Sequence, residues 1–410
     1  MVDLFSGCGG LSLGLHQAGF RTILFSEINR DAADTFEENL GGVDVERVGG
    51  IEELSDARLT ALKKGWKKRD IEVDIVAGGP PCQGFSGIGH RRSYSVQKEQ
   101  IPSNHLFREM VRVVSSIRPK FFIFENVRGL LSGRWTQEGR KGEIWDEVRH
   151  TFERIPGYEV GWQLVQAKSF GIPQNRPRIL LVGARKDLKL PIATSVRDNL
   201  TDNPRGLIPQ RAIPAPDLVD VLDDLVDKDY LSQGKTERYL REPQTNYQRM
   251  MRTKPDGSLM RAGDELLEQD YAKHSARVVE KFQYMIDNRG AISDKHKTKK
   301  FAQRWLPPRW TSVGPTITAT SLPDDFVHYS QPRILTVREW ARLQAFPDWY
   351  KFRGPRTTGG HRRAGIPDLD MWEREVPRYT QIGNAVPVGL ARELGLHLRA
   401  LLEGHNPTAL

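Results

Sequence analysis

Cysteine is scarce. The 410-residue chain holds two, Cys8 and Cys82. Two thiols build neither a disulfide framework nor a thiolate zinc site, so no metal is expected. Such sparing use fits a reducing cytoplasm. No apolar run approaches the ~18 residues of a membrane span, so no membrane partner is expected. The N-terminus lacks a basic and an apolar leader region, so no signal peptide is expected. Internal repeats, low-complexity segments and a polybasic tail are absent as well. Without such a tail, any nucleic-acid surface has to be folded and patterned.

What is present is a mild positive excess, 61 Lys and Arg against 52 Asp and Glu, a net charge of +9. It is unevenly spread. Residues 1–186 carry 27 basic and 23 acidic side chains (+4), residues 187–332 carry 22 and 21 (+1), and residues 333–378 carry 10 and 6 (+4).

The first 186 residues alternate short apolar runs with helical spacing. Val2 to Phe5, Thr22 to Ser26, Ile75 to Ala77, Phe121 to Phe124 and Arg178 to Ala184 read as buried strands. Leu11 to Ala18, Asp31 to Asn39 and His105 to Ile117 read as helices between them. That alternation predicts an α/β fold with a doubly wound, mostly parallel sheet, in which ligands bind beyond the carboxyl ends of the strands. Gly7, Glu27, Cys82 and Glu125 all fall just past strand ends. From about 187 to 332 the pattern is irregular. Asp217 to Asp229 reads as a solvated acidic helix, and Lys295 to Lys300 as a solvated basic loop or a phosphate contact. Val337 to Ala345 and Leu390 to Leu402 read as helices again. The expected division is a catalytic domain, 1–186 plus 379–410, and a smaller irregular domain, 187–378. The latter holds a variable region, 187–332, and a scaffold segment, 333–378.

Gly79-Pro80-Pro81-Cys82 presents a thiol in a stiff loop after a strand, because two prolines fix the preceding φ angles. Reactive cysteines act as thiolates in such positioned settings. The turn Gly7-Cys8-Gly9-Gly10 allows close ligand approach, and Glu27 stands where an acid can bind ribose hydroxyls. A tight packing turn with an ordinary glutamate is the alternative there. Ser12 stands where a strict dinucleotide pattern needs glycine, which disfavours nicotinamide. Cys8 reads as a small filler. Glu125 ends an apolar strand, where desolvation raises a carboxyl pKa and suits it to share a proton; a surface glutamate is the alternative. Arg176 and Arg178 lie two apart and on extended chain point the same way. One can hold Glu125 and the other a phosphate or carbonyl oxygen, unless both are surface arginines.

Taken in order, Asp3-Leu4-Phe5-Ser6-Gly7-Cys8-Gly9-Gly10, Gly79 to Ser86, Glu125-Asn126-Val127, Gln174-Asn175-Arg176-Pro177-Arg178, Arg338 to Pro347 and Gln381 to Pro387 resemble the DNA (cytosine-5)-methyltransferases of restriction-modification type. The blocks span Asp3 to Pro387 and leave about 187–320 outside. The resemblance implies an S-adenosylmethionine-dependent methyltransferase fold with a target-recognition domain. It implies that Phe5, Gly7, Gly9, Gly10, Glu27, Ile28, Ile51, Pro80, Leu106, Asn384 and Ala385 hold S-adenosylmethionine, with S-adenosylhomocysteine as product. Cys82 is then the nucleophile, Glu125 contacts the cytosine N3 edge, Arg178 its carbonyl oxygen, and Arg176 supports the site. Gly50 departs from the pattern, since the family usually has an aspartate there. The adenine contact would then fall to Asp74 or to backbone groups.

The implied activity is methyl transfer to carbon 5 of a flipped cytosine in a specific double-stranded DNA sequence. Residues 83–103 would form a loop that closes over the base, with Ser86, Arg91 and Arg92 on the DNA. Arg304 and Arg309 are candidate base readers, with Gln303 beside them. A cognate restriction endonuclease, not physically bound, is a further expected partner of a monomeric, nucleoid-associated enzyme. Two alternatives belong to other classes. A tRNA cytosine-5 methyltransferase of the same fold would usually carry a Cys-Phe-Thr motif, and no cysteine follows Cys82. A non-catalytic DNA-binding relative would lose the nucleophile or the cofactor turn, and both are intact.

Overall fold

A computed structural model of the chain describes residues 1–81, 105–136, 138–191, 196–198, 200, 201–204, 206–210, 212–297, 303–310, 314–317, 325–357 and 376–405. Cys82, Ser86, Arg91 and Arg92, and with them the expected closing loop, lie outside the described residues.

Nine strands form one sheet: β1 (Val2–Leu4), β2 (Leu24–Ser26), β3 (Glu46–Val48), β4 (Ile75–Gly78), β5 (Phe121–Val127), β6 (Tyr158–Gln166), β7 (Pro177–Arg185), β8 (Val196–Asp198) and β9 (Thr201–Asn203). Their order is β3-β2-β1-β4-β5-β7-β6-β9-β8. β3, β2, β1, β4 and β5 pair in parallel. β7 runs against β5 and β6, and β9 against β6 and β8. The sheet is therefore mixed but mostly parallel, as the alternation of elements predicts. α1 (Gly10–Gln17), α2 (Arg30–Leu40), α3 (Asp56–Lys68), α4 (Leu106–Ile117) and α5 (Glu143–Glu153) flank it. The chain runs outward from β1 through β2 to β3, then returns to place β4 on the other side of β1. That reversal is the switch point of the sheet, and such sheets bind ligands beyond the strand ends there, here past Leu4 and Gly78.

Local chemistry explains these elements. β4 and β5 read Ile-Val-Ala-Gly and Phe-Phe-Ile-Phe-Glu-Asn-Val, and almost all of their side chains are buried. α4 buries Phe107, Met110, Val113 and Val114, one face at helical spacing. α2 starts at Asn29, whose side chain accepts a hydrogen bond from the Ala32 N–H at 3.0 Å. The core runs through Leu4, Leu24, Val76, Phe122, Phe124 and Leu181.

The chain forms two compact units. The first comprises Met1–Gln166, Pro177–Arg211 and Leu390–Leu410. The second comprises Ala167–Arg176 and Ala212–Gly389. The second unit holds α6 (Leu218–Leu222), α7 (Tyr230–Gln233), α8 (Asn246–Arg252), α9 (Ala276–Asp287), the short pair β10 (Arg304–Trp305) and β11 (Phe326–Val327), α10 (Val337–Leu343) and α11 (Arg378–Asn384). α12 (Val388–Leu402) returns to the first unit, where Gly395 lies against Leu15 and Ala18.

The second unit is built around buried charge. Asp224 accepts from Arg252 Nε at 2.9 Å and Nη2 at 2.6 Å, and from Arg342 Nη2 at 3.0 Å. Arg342 also reaches Asp348 at 2.9 and 2.6 Å, and the Tyr239 hydroxyl donates to Asp348 at 2.7 Å. This corrects the expectation of a solvated acidic face over Asp217 to Asp229. Asp224 and Asp227 are each 2% exposed: Asp224 meets cations from distant parts of the chain, and Asp227 accepts from the Thr236 hydroxyl at 2.7 Å. In a second cluster Arg333 grips Glu339 at 2.6 and 2.8 Å. Burial alone would raise the Glu339 carboxyl, but the Arg333 charge overrides it and holds the pKa at about 2. The basic run is also partly neutralised: Lys295 pairs with Glu280, and Lys297 with Asp294 at 2.6 Å.

Candidate active site

The carboxyl ends of β1, β2 and β3 carry the glycine turn and its acid. Phe5 follows β1 with a left-handed φ of 56°. Gly7 and Gly9 have φ of 55° and 85°, the region that glycine enters without steric cost. A Cβ built on Gly7 would meet nothing within 4 Å, so one side of the turn is open. Glu27 fixes this turn. Its Oε2 accepts from the Gly7 N–H and its Oε1 from the Asn29 N–H, both at 2.8 Å. Burial raises the Glu27 pKa, and these backbone donors oppose the rise. Beneath the turn, Cys8 is buried and its thiol pKa is pushed up by burial. It packs as a neutral thiol, the form that is a poor nucleophile.

Next to Glu27, Ile28 is 80% exposed, unusual for so large an apolar side chain. Gly50 follows β3 and donates its N–H to Glu53 Oε1 at 3.2 Å. The Ile51 side chain belongs to the core. Asp74 does not replace the missing aspartate. It precedes β4 and pairs with Lys120 at 2.8 Å, at the amino end of the parallel strands. That is the end opposite Gly7 and Glu27.

Glu125 sits near the carboxyl end of β5, and Arg178 at the start of β7. Glu125 Oε1 lies 2.6 Å from Arg178 Nε, with both side chains almost wholly buried. Burial lowers the Arg178 pKa, and the Glu125 charge opposes that. A Cβ on Gly79 would stand 3.1 Å from Glu125 Oε2. Pro80 is fixed on the same side, its carbonyl accepting from Asn126 Nδ2 at 3.0 Å. The loop leading to position 82 is thus tied directly to the Glu125-Asn126 step. Leu106 is partly buried at the start of α4.

Arg176 behaves differently from Arg178, although the two are close in sequence. It lies before β7, in the second unit, where the extended geometry that would align them does not reach. Its Nη2 donates to the Gly383 carbonyl at 2.6 Å and the Ala385 carbonyl at 3.3 Å. Gln344 Nε2 donates to the Ile382 carbonyl at 2.7 Å, and Gln174 Nε2 to Gln344 Oε1 at 2.5 Å. Three separated sequence blocks are thereby joined around the turn that carries Asn384 and Ala385. Asn384 itself is exposed at the end of α11. The sequence signal for this cluster is Gln344, an amide set between the apolar Leu343 and Ala345.

Arg304 and Arg309 are exposed. The Arg304 guanidinium lies 4.4 Å above the Phe326 ring, and Lys281 donates to Gln303 Oε1. Among the described residues no cluster of His, Cys, Asp or Glu could hold a metal ion, and no helix is long and apolar enough to cross a membrane.

The family model for C-5 cytosine-specific DNA methylase matches residues 1–399. The chain belongs to that family. It is 31% identical over 421 residues to type II methyltransferase M.DdeI of Desulfomicrobium norvegicum, covering 99% of this chain and 90% of the relative. It is 32% identical to type II methyltransferase M.XorII of Xanthomonas oryzae pv. oryzae, covering 96% and 83%. A crystal structure assigned as a prophage-encoded DNA modification methyltransferase (E. coli) superposes with a TM-score of 0.68 at 24% identity. That match covers 98% of this chain and 99% of the other, and it supports the fold. As a member of the family the chain is a DNA (cytosine-5)-methyltransferase, an enzyme that binds DNA and uses S-adenosylmethionine.

Proposed function

We propose that the enzyme methylates one cytosine within a specific double-stranded DNA sequence, through a covalent bond between Cys82 Sγ and carbon 6 of a flipped-out base. The buried Glu125–Arg178 pair carries this reading, because it stands against Gly79, three residues before Cys82.

The open side of Gly7 and the Glu27 carboxylate fit S-adenosylmethionine. The Glu27 carboxylate accepts from the Gly7, Asn29 and Ile28 backbone N–H groups and keeps a lone pair for a ribose hydroxyl. Phe5, Gly9, Gly10, Ile28, Ile51, Pro80, Leu106, Asn384 and Ala385 complete the proposed set. The bound cofactor supplies an electrophilic methyl group. Carbon 5 of cytosine is too weak a nucleophile to take it unaided. The Cys82 thiolate adds at carbon 6, and the displaced π pair makes carbon 5 an enamine carbon. Glu125 shares a proton with N3, and Arg178 donates to the carbonyl oxygen, so the charge developing on the ring is neutralised. After methylation a base removes the carbon-5 proton, the electron pair restores the double bond, and the thiolate leaves. The stacked ring has to leave the duplex first, as methyltransferases require.

Residues 187–332 are the proposed target-recognition region, with Arg304 and Arg309 toward the bases and Ser86, Arg91 and Arg92 toward phosphates. A cognate endonuclease, a cytoplasmic location at the nucleoid and a monomeric state complete the reading. Bisulfite sequencing of plasmid from cells expressing the chain is the test, beside a 5-fluorocytosine duplex. Methylation of one short motif and a denaturant-stable adduct that Cys82→Ala loses are expected. Unmethylated plasmid with methylated tRNA would overturn the DNA reading.

A further inference from the structure

The segment that follows Glu125-Asn126-Val127 carries cations in a built loop. A 3-10 turn spans Arg128–Ser132. The chain then leaves and returns, closed by the Gly142 N–H donating to the Gly133 carbonyl at 3.1 Å. Glu143, at the start of α5, buckles the loop from inside. Its Oε1 accepts from the Trp135 N–H at 2.6 Å and its Oε2 from the Arg140 N–H at 3.0 Å. The Trp135 indole N–H donates to Glu147 at 3.0 Å. Glu143 is therefore spent on the loop's own backbone and Glu147 on the indole, while Glu138 is exposed on the loop.

Most nearby arginines are neutralised. Arg108 pairs with Glu147 at 2.5 Å, Arg140 with Asp146, and Arg149 with Glu153 at 3.7 Å. At the opposite, amino end of the sheet, Lys120 pairs with Asp74 at 2.8 Å and Arg185 with Glu72 at 3.2 Å. Arg128 and Lys141 differ. Both are exposed, and among the described residues neither has a carboxylate within ion-pair distance. Arg134 is exposed on the same loop. Arg128 and Lys141, left unneutralised on a braced loop just past the strand that bears Glu125, are what a polyanion backbone needs for positioning.

We infer that residues 128–136 and 138–142 form a phosphate-gripping surface, with Arg128 and Lys141 holding the DNA backbone beside the reacting base. This rests on the DNA-methylating reading above. It adds a third anchoring element to residues 83–103 and 333–378.

The test compares two charge reversals in the full-length enzyme: Arg128→Glu with Lys141→Glu, and Lys67→Glu with Lys68→Glu. Lys67 and Lys68 are exposed in the last turn of α3, which leads to the amino end of β4. Both variants change the net charge equally. Binding to a cognate duplex is measured across salt concentrations, with melting temperature and S-adenosylmethionine affinity as folding controls. Each lost phosphate contact lowers the slope of log K against log salt by about 0.9. The loop variant is expected to lose about 1.8 of slope and to keep its cofactor affinity, while the α3 variant keeps the wild-type slope. If the loop variant misfolds, Arg128→Gln with Lys141→Gln gives the same reading. Equal slopes in both variants, or no change in the loop variant, overturn the inference alone. A wild-type enzyme that neither binds nor methylates DNA overturns the reading beneath it.

Discussion

Glu125 and Arg178 meet because of strand register. In the antiparallel pairing of β5 with β7, Glu125 faces Leu180 and Val127 faces Arg178. The two side chains are thus diagonal neighbours on one face of the sheet, and Glu125 Oε1 lies 2.6 Å from Arg178 Nε. The pair holds the carboxylate beside Gly79 before any substrate arrives, which is preorganisation of the kind that electrostatic catalysis uses.

Replacing Glu125 with Gln keeps the volume and removes the shared proton. We expect kcat to fall by ~10²–10⁴ with cofactor affinity unchanged. Single-turnover kinetics alongside calorimetric titration of S-adenosylmethionine measure both quantities. Equal losses in rate and in cofactor affinity would reassign Glu125 to a structural role.

Gly7→Ala separates backbone strain from ligand space. The added methyl meets no protein atom within 4 Å, so stability should fall only by the left-handed backbone cost, ~1–2 kcal/mol. Cofactor affinity should fall more than tenfold, because the methyl enters the proposed ligand space. Thermal unfolding and titration decide it; affinity that stays at the wild-type value places the cofactor elsewhere.

Asp224→Ala strips Arg252 of its carboxylate partner among the described residues, while Arg342 keeps Asp348. A buried charge left in this way costs ~3–5 kcal/mol. Urea unfolding should show the loss. Adding Arg252→Met should recover part of it, since the remaining cation is what destabilises. A second substitution that deepens the loss would contradict this account.

The legible parts of the sequence were those with short-range causes. Phe121 to Phe124 is apolar throughout, and the glycine turn and the Pro-Pro step punctuate the chain locally, so the strand ends and the residues just past them could be read. β3 was not, because Glu46-Arg47-Val48 is a polar edge strand that pairs only with β2. α10 could be read as a helix, but not as a buried one carrying Arg338, Glu339 and Arg342. Arg342 reaches Asp224 across 118 residues of sequence, and no local pattern records that pairing. The same limit hid the division of labour between Arg176 and Arg178.

Asp3 makes stability depend on pH. Its carboxylate is buried beneath the glycine turn and accepts from Ser12 Oγ at 2.6 Å. Ser12 Oγ lies 3.3 Å from Thr22 Oγ1, which is 2.8 Å from His16 Nε2. Burial raises the Asp3 pKa from 3.8 to about 7; the Glu27 charge adds to this, while Ser12 and the N-terminal amine oppose it. Over that window the folded chain keeps a proton that the unfolded chain has released, so stability falls as pH rises. The difference is on the order of 4 kcal/mol. His16 acts in the other direction. Burial first, then the charges of Arg21 and the N-terminus, lower it from 6.5 to about 4. The unfolded chain therefore binds the extra proton in that range, and stability rises with pH. The Met1 amine, lowered by burial from 8.0 to about 6, adds a second rising slope above about pH 6, so the Asp3 loss is offset by His16 up to about 6.5 and by the amine beyond it. Asp3→Asn keeps an acceptor for Ser12 and removes the ionisation. Urea unfolding in steps from pH 4 to 8 should then show the variant's stability rising relative to the wild type between about pH 4 and 7, and running parallel to it above 7. A variant whose curve parallels that of the wild type throughout would mean that Asp3 does not titrate in this range.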